Sequence, residues 1–407
     1  MESPETLRKS QEVIQAGKQY ILQTYSQQPI VLSGGKGSTV YDMEGNSYLD
    51  FVAGIAVNAL GYGDSELKEA LIAVIENGLT HCSNLYWNKP SVEAASLLSR
   101  LSGLHKTFFC NSGSEANEAA LKLSRKFGTE KKGNTVNTII TMSQSFHGRT
   151  YGAVTVTGQQ KYHKGFAPLM PEISYAQFND LEHVESLITE NTCAVIVEPI
   201  QGEGGIIPAE KHFLKGLREL CDSRNLLLIF DEVQCGMGRT GMPFAYQQYG
   251  VTPDILTLAK GLGAGLPIGA MSVGEKAAGI LSPGDHASTF GGNLLASAAA
   301  AVVLRRLSNN EFLSSVNDSA VHLYQKLSDL KERHDCITDI RGMGLMMGID
   351  LTCEASQVLS ACRERGLLLA AAGSHTIRFV PPLIITKEEI SEAMEILESV
   401  LRETVPA

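Results

Sequence analysis

The chain has 407 residues, 43% of them hydrophobic, and a formal charge of −10 from 34 basic and 44 acidic side chains. That length suits two or three structural units around a substantial core; the acidic balance and the lack of any Lys/Arg run argue against a nucleic-acid partner, although a local pair of arginines can still bind small anions. No stretch approaches the roughly 20 apolar residues of a membrane span, the first five residues are polar and acidic, and the eight cysteines contain no C-x-x-C pair, so the expectation is a reduced, soluble, cytoplasmic protein without a metal site.

In chain order, residues 40–46 read as a strand then a turn, with Gly45-Asn46 supplying the turn, within an arm and small β unit. Asp64 is placed to cap a helix with apolar positions Leu67, Leu71, Val74 and Ile75, stopped by Gly78. A strand at 108–110 runs through Asn111-Ser112-Gly113-Ser114-Glu115 into a helix with Ala116, Ala119, Ala120, Leu123 and Phe127 on one face. Strands at 138–142, 193–198, 226–230 and 254–259 are apolar without polar alternation, and a helix with Phe213, Leu214, Leu217, Leu220 and Cys221 separates two of them. Such strands belong to a mostly parallel sheet covered by helices on both faces, an α/β architecture. Ligands of such sheets sit beyond the carboxyl ends of the strands. The alanine-rich stretch 293–307 suits a long buried helix. Beyond it, strands at 345–351 and 376–380 and a last helix opened by a Thr386/Glu389 capping box read as a smaller α+β domain. The expected division is 1–62, an arm and part of the small domain; 63–304, the large domain; and 305–407, the rest of the small domain.

Three of these strand ends carry chemistry. Lys260 ends one apolar run and opens the turn Gly261-Leu262-Gly263-Ala264-Gly265. Asp231 and Glu232 end another, and the serine- and glycine-rich 112–114 segment ends a third. Singly, each has an ordinary explanation: a solvated strand end, a loop start, and an N-cap at Ser114. Together they supply an amine, a carboxylate and an anion-binding helix start, the groups needed to hold and activate pyridoxal phosphate. Desolvation would lower the Lys260 pKa toward nucleophilic use. A carboxylate at Asp231 would keep the pyridine nitrogen protonated, with Glu232 behind it and Gln234 within reach of the ring hydroxyl. Phe146 and Val233 could cover the two ring faces, with His147 beside them. Arg149 and Arg378 are the candidate anion sites, and together suit a substrate with a carboxylate at each end. Glu203, on the flexible Gly202-Glu203-Gly204-Gly205 loop, could pair with Arg378 and swing away when a substrate brings its own carboxylate.

These residues lie in stretches through which the chain resembles the class III, ornithine-type aminotransferases that use pyridoxal phosphate. The stretches are Phe109-Cys110-Asn111-Ser112-Gly113-Ser114-Glu115-Ala116-Asn117-Glu118, Ser145-Phe146-His147-Gly148-Arg149-Thr150, Glu198-Pro199-Ile200-Gln201-Gly202-Glu203-Gly204-Gly205, Phe230-Asp231-Glu232-Val233-Gln234-Cys235-Gly236, Leu258-Ala259-Lys260-Gly261, Ser288-Thr289-Phe290-Gly291-Gly292-Asn293 and Ile340-Arg341-Gly342-Met343-Gly344. The resemblance implies a fold type I enzyme, a homodimer with active sites shared at the subunit interface. By it, Lys260 carries the cofactor, Asp231 faces the pyridine nitrogen, Ser112, Gly113 and Ser114 hold the phosphate, and Thr289 reaches that phosphate from the neighbouring subunit. Arg149 would take the distal carboxylate and Arg378 the α-carboxylate of glutamate or 2-oxoglutarate, with Glu203 as the switch. Tyr25, Trp87 and Ser288 align with substrate contacts. The implied reaction moves the terminal amino group of N-acetylornithine to 2-oxoglutarate, giving N-acetylglutamate 5-semialdehyde and glutamate. The alternatives are another ω-amino donor (succinylornithine, ornithine, 4-aminobutyrate or N-succinyl-diaminopimelate) or a catalytically silent binding protein on the same scaffold. The chain departs from the family pattern at Gly61-Tyr62-Gly63-Asp64-Ser65, at Leu294 and at Trp87, where a large aromatic could shorten the pocket or stack on an acyl group.

Overall fold

The computed structural model describes residues 9–133 and 136–404, so the polar start at 1–5 lies outside them. Seven strands form the central sheet: β1 (Lys106–Cys110), β2 (Thr138–Met142), β3 (Ile173–Ala176), β4 (Thr192–Val197), β5 (Leu227–Asp231), β6 (Ile255–Leu258) and β7 (Gly269–Val273). Their spatial order is β1-β7-β6-β5-β4-β2-β3. Neighbours pair in parallel except at β7, which is antiparallel to both β6 and β1.

Every residue of β2, β4, β5, β6 and β7 is buried, which is why these strands show no polar alternation. Successive side chains point to opposite faces. Leu228 and Phe230 join one core with Phe213, Leu214 and Leu217 of the Lys211–Ser223 helix and the Leu294–Leu307 helix. Leu227 and Ile229 join a second core with Ala119, Ala120, Leu123 and Phe127 of the Gly113–Lys132 helix.

Two four-stranded sheets flank this unit, and Ile200–Gln201 pairs with Ile207–Pro208 in a two-stranded one. Strands Leu32–Lys36, Thr39–Asp42 and Ser47–Asp50 gain a fourth member, Leu367–Leu368, which pairs in parallel with the 47–50 strand and ties the early chain to the late chain. Ile337–Met343, Met346–Leu351, Thr376–Phe379 and Ala370–Ala371 make an antiparallel sheet. Helix starts follow the capping residues: Asp64 Oδ1 accepts from Leu67 N at 2.8 Å, and Thr386 and Glu389 bond reciprocally at 3.1 and 2.9 Å. Among the described residues no helix is long and apolar enough to cross a membrane.

The Gly113–Lys132 helix packs closely on its neighbours at Gly128, where an added Cβ would lie 2.0 Å from the Val136 carbonyl oxygen and 2.8 Å from Cys193 Cβ. Gly128→Ala should therefore destabilise the protein by about 1–3 kcal/mol, read as a lower denaturant midpoint at unchanged slope.

Candidate active site

The carboxyl ends of β1, β2, β4, β5 and β6 open into one cavity of about 350 Å³. Ser112, Gly113 and Ser114 line it from the first of these ends, Phe146 and His147 from the second, and Glu198 from the third. Asp231, Val233 and Gln234 come from the fourth and Lys260 from the fifth. Of the cofactor residues expected to act together, all but Thr289 are thus brought together by five strands that point the same way, while Arg149, Glu203 and Arg378 lie outside the cavity lining. A larger hollow, about 1150 Å³, lies between the 32–50 sheet and the Ala355–Glu364 helix, but has no lysine in its lining.

Lys260 follows β6 with φ +44°, a left-handed backbone uncommon outside glycine. Burial pushes its ammonium down to about 8, with Arg378 acting in the same direction and Glu203, Asp231 and Glu198 opposing. An amine near that value carries a useful neutral fraction at physiological pH. Asp231, only 3% exposed, is clamped in place. Its Oδ2 accepts from Asn117 Nδ2 and His147 Nδ1, both at 2.7 Å, and its Oδ1 accepts from Val233 N at 3.0 Å. A carboxylate only accepts, so His147 carries a proton on Nδ1. Glu232 turns away and accepts from Ala245 N and Tyr246 N at 2.6 and 2.7 Å.

The helix at the anion-binding end runs Gly113–Lys132, and Ser112 caps it, its Oγ accepting from Glu115 N at 3.2 Å. This corrects the assignment of the cap to Ser114, which sits inside the first turn because the chain is already helical at Gly113; its Oγ accepts from Arg149 N at 3.2 Å. Two glycines keep this corner closed to side chains. A Cβ at Gly113 would lie 2.7 Å from Val233 Cγ1, and one at Gly148 (φ +128°) 2.1 Å from Ser114 Oγ. The N–H groups of such a helix start favour a phosphate.

Arg378, 2% exposed, donates from Nη1 to Glu203 Oε1 and to Gln234 Oε1, the latter at 3.0 Å. Gln234 Nε2 also donates to Glu203 Oε1, at 3.3 Å. Burial raises the Glu203 carboxyl, but Arg378, Lys260 and Gln234 together outweigh it and the net shift is downward. Removing one partner of such a buried pair typically costs about 3–5 kcal/mol. Arg149 is exposed, and its guanidinium lies 3.9 Å from the centre of the Tyr162 ring and 5.5 Å from that of Phe146.

Four expected contacts are not gathered within one chain. Tyr25 is 78% and Trp87 94% exposed, Thr289 is exposed, and Ser288 is half-buried with its Oγ accepting from Asn111 Nδ2 at 3.2 Å; none lines the cavity. Conversely, Asn117, Glu198 and Tyr162 were missed. Asn117 lies one helical turn beyond Gly113 and Ser114, a spacing that could have flagged it. Glu198 ends an apolar run as Asp231 does. Nothing in the sequence ties Tyr162 to Arg149.

Residues 20–401 match the family described as aminotransferase class-III. The chain belongs to the class-III aminotransferases. It is 50% identical over 387 residues to an acetylornithine aminotransferase from Caldanaerobacter subterraneus, covering 95% of this chain and 98% of that one. It is 47% identical to a succinylornithine transaminase from Photorhabdus laumondii, covering 94% and 96%. The crystal structure of ornithine aminotransferase from Toxoplasma gondii superposes with a TM-score of 0.93 at 32% identity, covering 98% and 96%. The family's cofactor is pyridoxal 5′-phosphate, and the residues present fit it. The cavity offers a buried amine of lowered pKa, a clamped carboxylate, and a helix start closed to side chains by glycines.

The position of the Lys260 amine has a direct consequence in this aminotransferase. A depressed pKa means that the reactive neutral amine reaches half its full population at about pH 8 and nearly all of it one pH unit higher. The rate at which cofactor-free protein takes up pyridoxal phosphate, followed by visible absorbance, should rise about tenfold per pH unit below that point and level off above it. An ordinary lysine would keep rising toward pH 10.5.

Proposed function

We propose that the site transfers the terminal amino group of N-acetylornithine to 2-oxoglutarate, giving N-acetylglutamate 5-semialdehyde and glutamate. The observation that carries this reading is buried Arg378, held by Glu203 and Gln234 next to the Lys260 cavity. The terminal amine of the donor has no carboxylate on its own carbon, whereas glutamate does. One site can serve both only if the arginine has a countercharge that withdraws, and Glu203 is that countercharge. The 50% identity to a protein described as acetylornithine aminotransferase supports the donor. The 47% identity to a succinylornithine transaminase keeps N-succinylornithine as the second reading.

When bound, pyridoxal phosphate supplies an electrophilic aldehyde and an electron-accepting ring. Lys260 Nζ would be the point of attachment and, once displaced by substrate, the base that takes the proton from the carbon bearing the amine. Asp231, its carboxylate fixed by His147 and Asn117, would keep the pyridine nitrogen protonated. Backbone N–H groups at Gly113 and Ser114 would bind the phosphate, with Ser112 beside them capping the helix. Phe146 and Val233, which line the cavity, would cover the ring, and Gln234 would reach its hydroxyl. Arg149, braced by Tyr162, takes the distal carboxylate of either substrate.

The remaining contacts come from a second copy. Leu85, Tyr86, Trp87 and Phe290 are 85%, 71%, 94% and 61% exposed around Thr289, more large apolar side chains than a monomer ordinarily leaves in water. A homodimer would cover them and bring Thr289 to the phosphate, with Trp87, Ser288 and Tyr25 at the substrate. The division at 62 and 304 and a cytoplasmic setting complete the proposal.

Lys260→Ala should abolish turnover and the visible absorbance of the bound cofactor; near-normal turnover would refute the assignment. Asp231→Ala should slow proton removal at least ~10³-fold, about 4 kcal/mol of barrier, in single-turnover measurements. Among N-acetylornithine, N-succinylornithine, ornithine, 4-aminobutyrate and N-succinyl-diaminopimelate, kcat/KM should be highest for the first. A higher value for another donor would replace it.

A further inference from the structure

We propose that Glu198 is a positioning residue that ties the cofactor-covering loop to the loop carrying Glu203, and so sets how well Glu203 neutralises Arg378. The inference rests on the proposed roles of those two residues. Glu198 follows β4, is 5% exposed and lines the active cavity, yet it has no assigned part in the reaction. Its two oxygens serve two different loops. Oε2 accepts from Phe146 N at 2.9 Å, and Oε1 accepts from Gly202 N at 3.2 Å.

The path from Glu198 to the arginine is short. Gly202 packs so closely on Gln234 that an added Cβ would lie 2.5 Å from the Gln234 amide carbon. That amide bonds both Glu203 and Arg378. Glu203 is the next residue after Gly202, so the carboxylate of Glu198 fixes the root of the switch. On the other side, Phe146 N fixes the aromatic that covers the cofactor and lies 5.5 Å from the Arg149 guanidinium. A single buried group therefore keeps the two carboxylate-binding arginines in register with the cavity. Burial pushes this carboxyl up to about 7, with His147 pulling it down and Asp231 pushing it up. It is held in a dry place by its two backbone bonds.

Glu198→Gln leaves one oxygen acceptor, so an amide N–H must face one of the two loop N–H groups. The two half-reactions are followed separately on the holoenzyme by its visible absorbance, one with N-acetylornithine and one with glutamate. The first needs Glu203 in place; the second needs it withdrawn. We expect kcat/KM for N-acetylornithine to fall about tenfold more than that for glutamate, mainly through KM. Loss of folded or cofactor-loaded enzyme would lower both together and leave the ratio alone. Glu198→Asp keeps the charge and both acceptors but withdraws them by one methylene. It should shift the ratio the same way by less, and it decides the matter if the glutamine variant does not fold. In cofactor-free protein, hydrogen–deuterium exchange should rise in peptides covering residues 145–148 and 201–205. An unchanged ratio in the folded variant, or unchanged exchange at either loop, overturns the inference. Wild-type enzyme that turns over neither substrate would instead mark failure of the proposed function, and the exchange measurement would still decide the Glu198 tie.

Discussion

The site depends on keeping several charges out of water at once. Lys260, Asp231 and Glu198 line one cavity with Glu203 and Arg378 close by, and the other four influence the ionisation of Lys260. An unpaired charge in such a place is very costly, so each must find a partner or shift its proton. The structure uses both solutions. Asp231 is held by three donors and Arg378 by Glu203 and Gln234. Lys260 instead moves toward neutrality, which gives an amine able to attack a carbonyl.

The sheet makes this crowding possible. Parallel strands put their carboxyl ends on one edge, and there β1, β2, β4, β5 and β6 each release a chemically active segment. Strands buried on both faces have no freedom to shift register, because a slip of one residue would turn an apolar set into the wrong core. The positions of Asp231 and Lys260 are therefore as firm as the two cores above and below the sheet. Glycines do the complementary work. At Gly113, Gly148 and Gly202 any side chain would collide with Val233, Ser114 or Gln234, so loops from different strands can touch.

The same packing explains why the carboxylates near one another have different duties. Asp231 faces the cavity with three donors, while Glu232, its neighbour in sequence, points into the protein and holds the backbone at Ala245 and Tyr246. Burial pushes Glu232 up to about 8. Glu198 joins two loops, and Glu203 covers an arginine. Residue type is the same in three of these four; the strand end and loop from which each emerges assign the work.

Much of this was legible in the chain. Apolar runs without alternation identified the buried parallel strands, because residues covered on both faces need no polar side. Capping residues such as Asp64 and the Thr386/Glu389 pair located helix starts, since free N–H groups there require acceptors. Lys260 and Asp231 stood out because a charged residue at the end of such a run is delivered to the ligand edge of the sheet. What lay outside sequence reach were relations between segments far apart. The stacking of Arg149 on Tyr162 and the two-loop grip of Glu198 depend on angles and distances between separate segments. Local sequence determined which residues end strands and begin helices, because backbone propensity and hydrophobic period are short-range. Only the tertiary structure decided which of those ends share a cavity and which carboxylate meets which cation, because contacts across a hundred residues are set by the packing of the whole sheet.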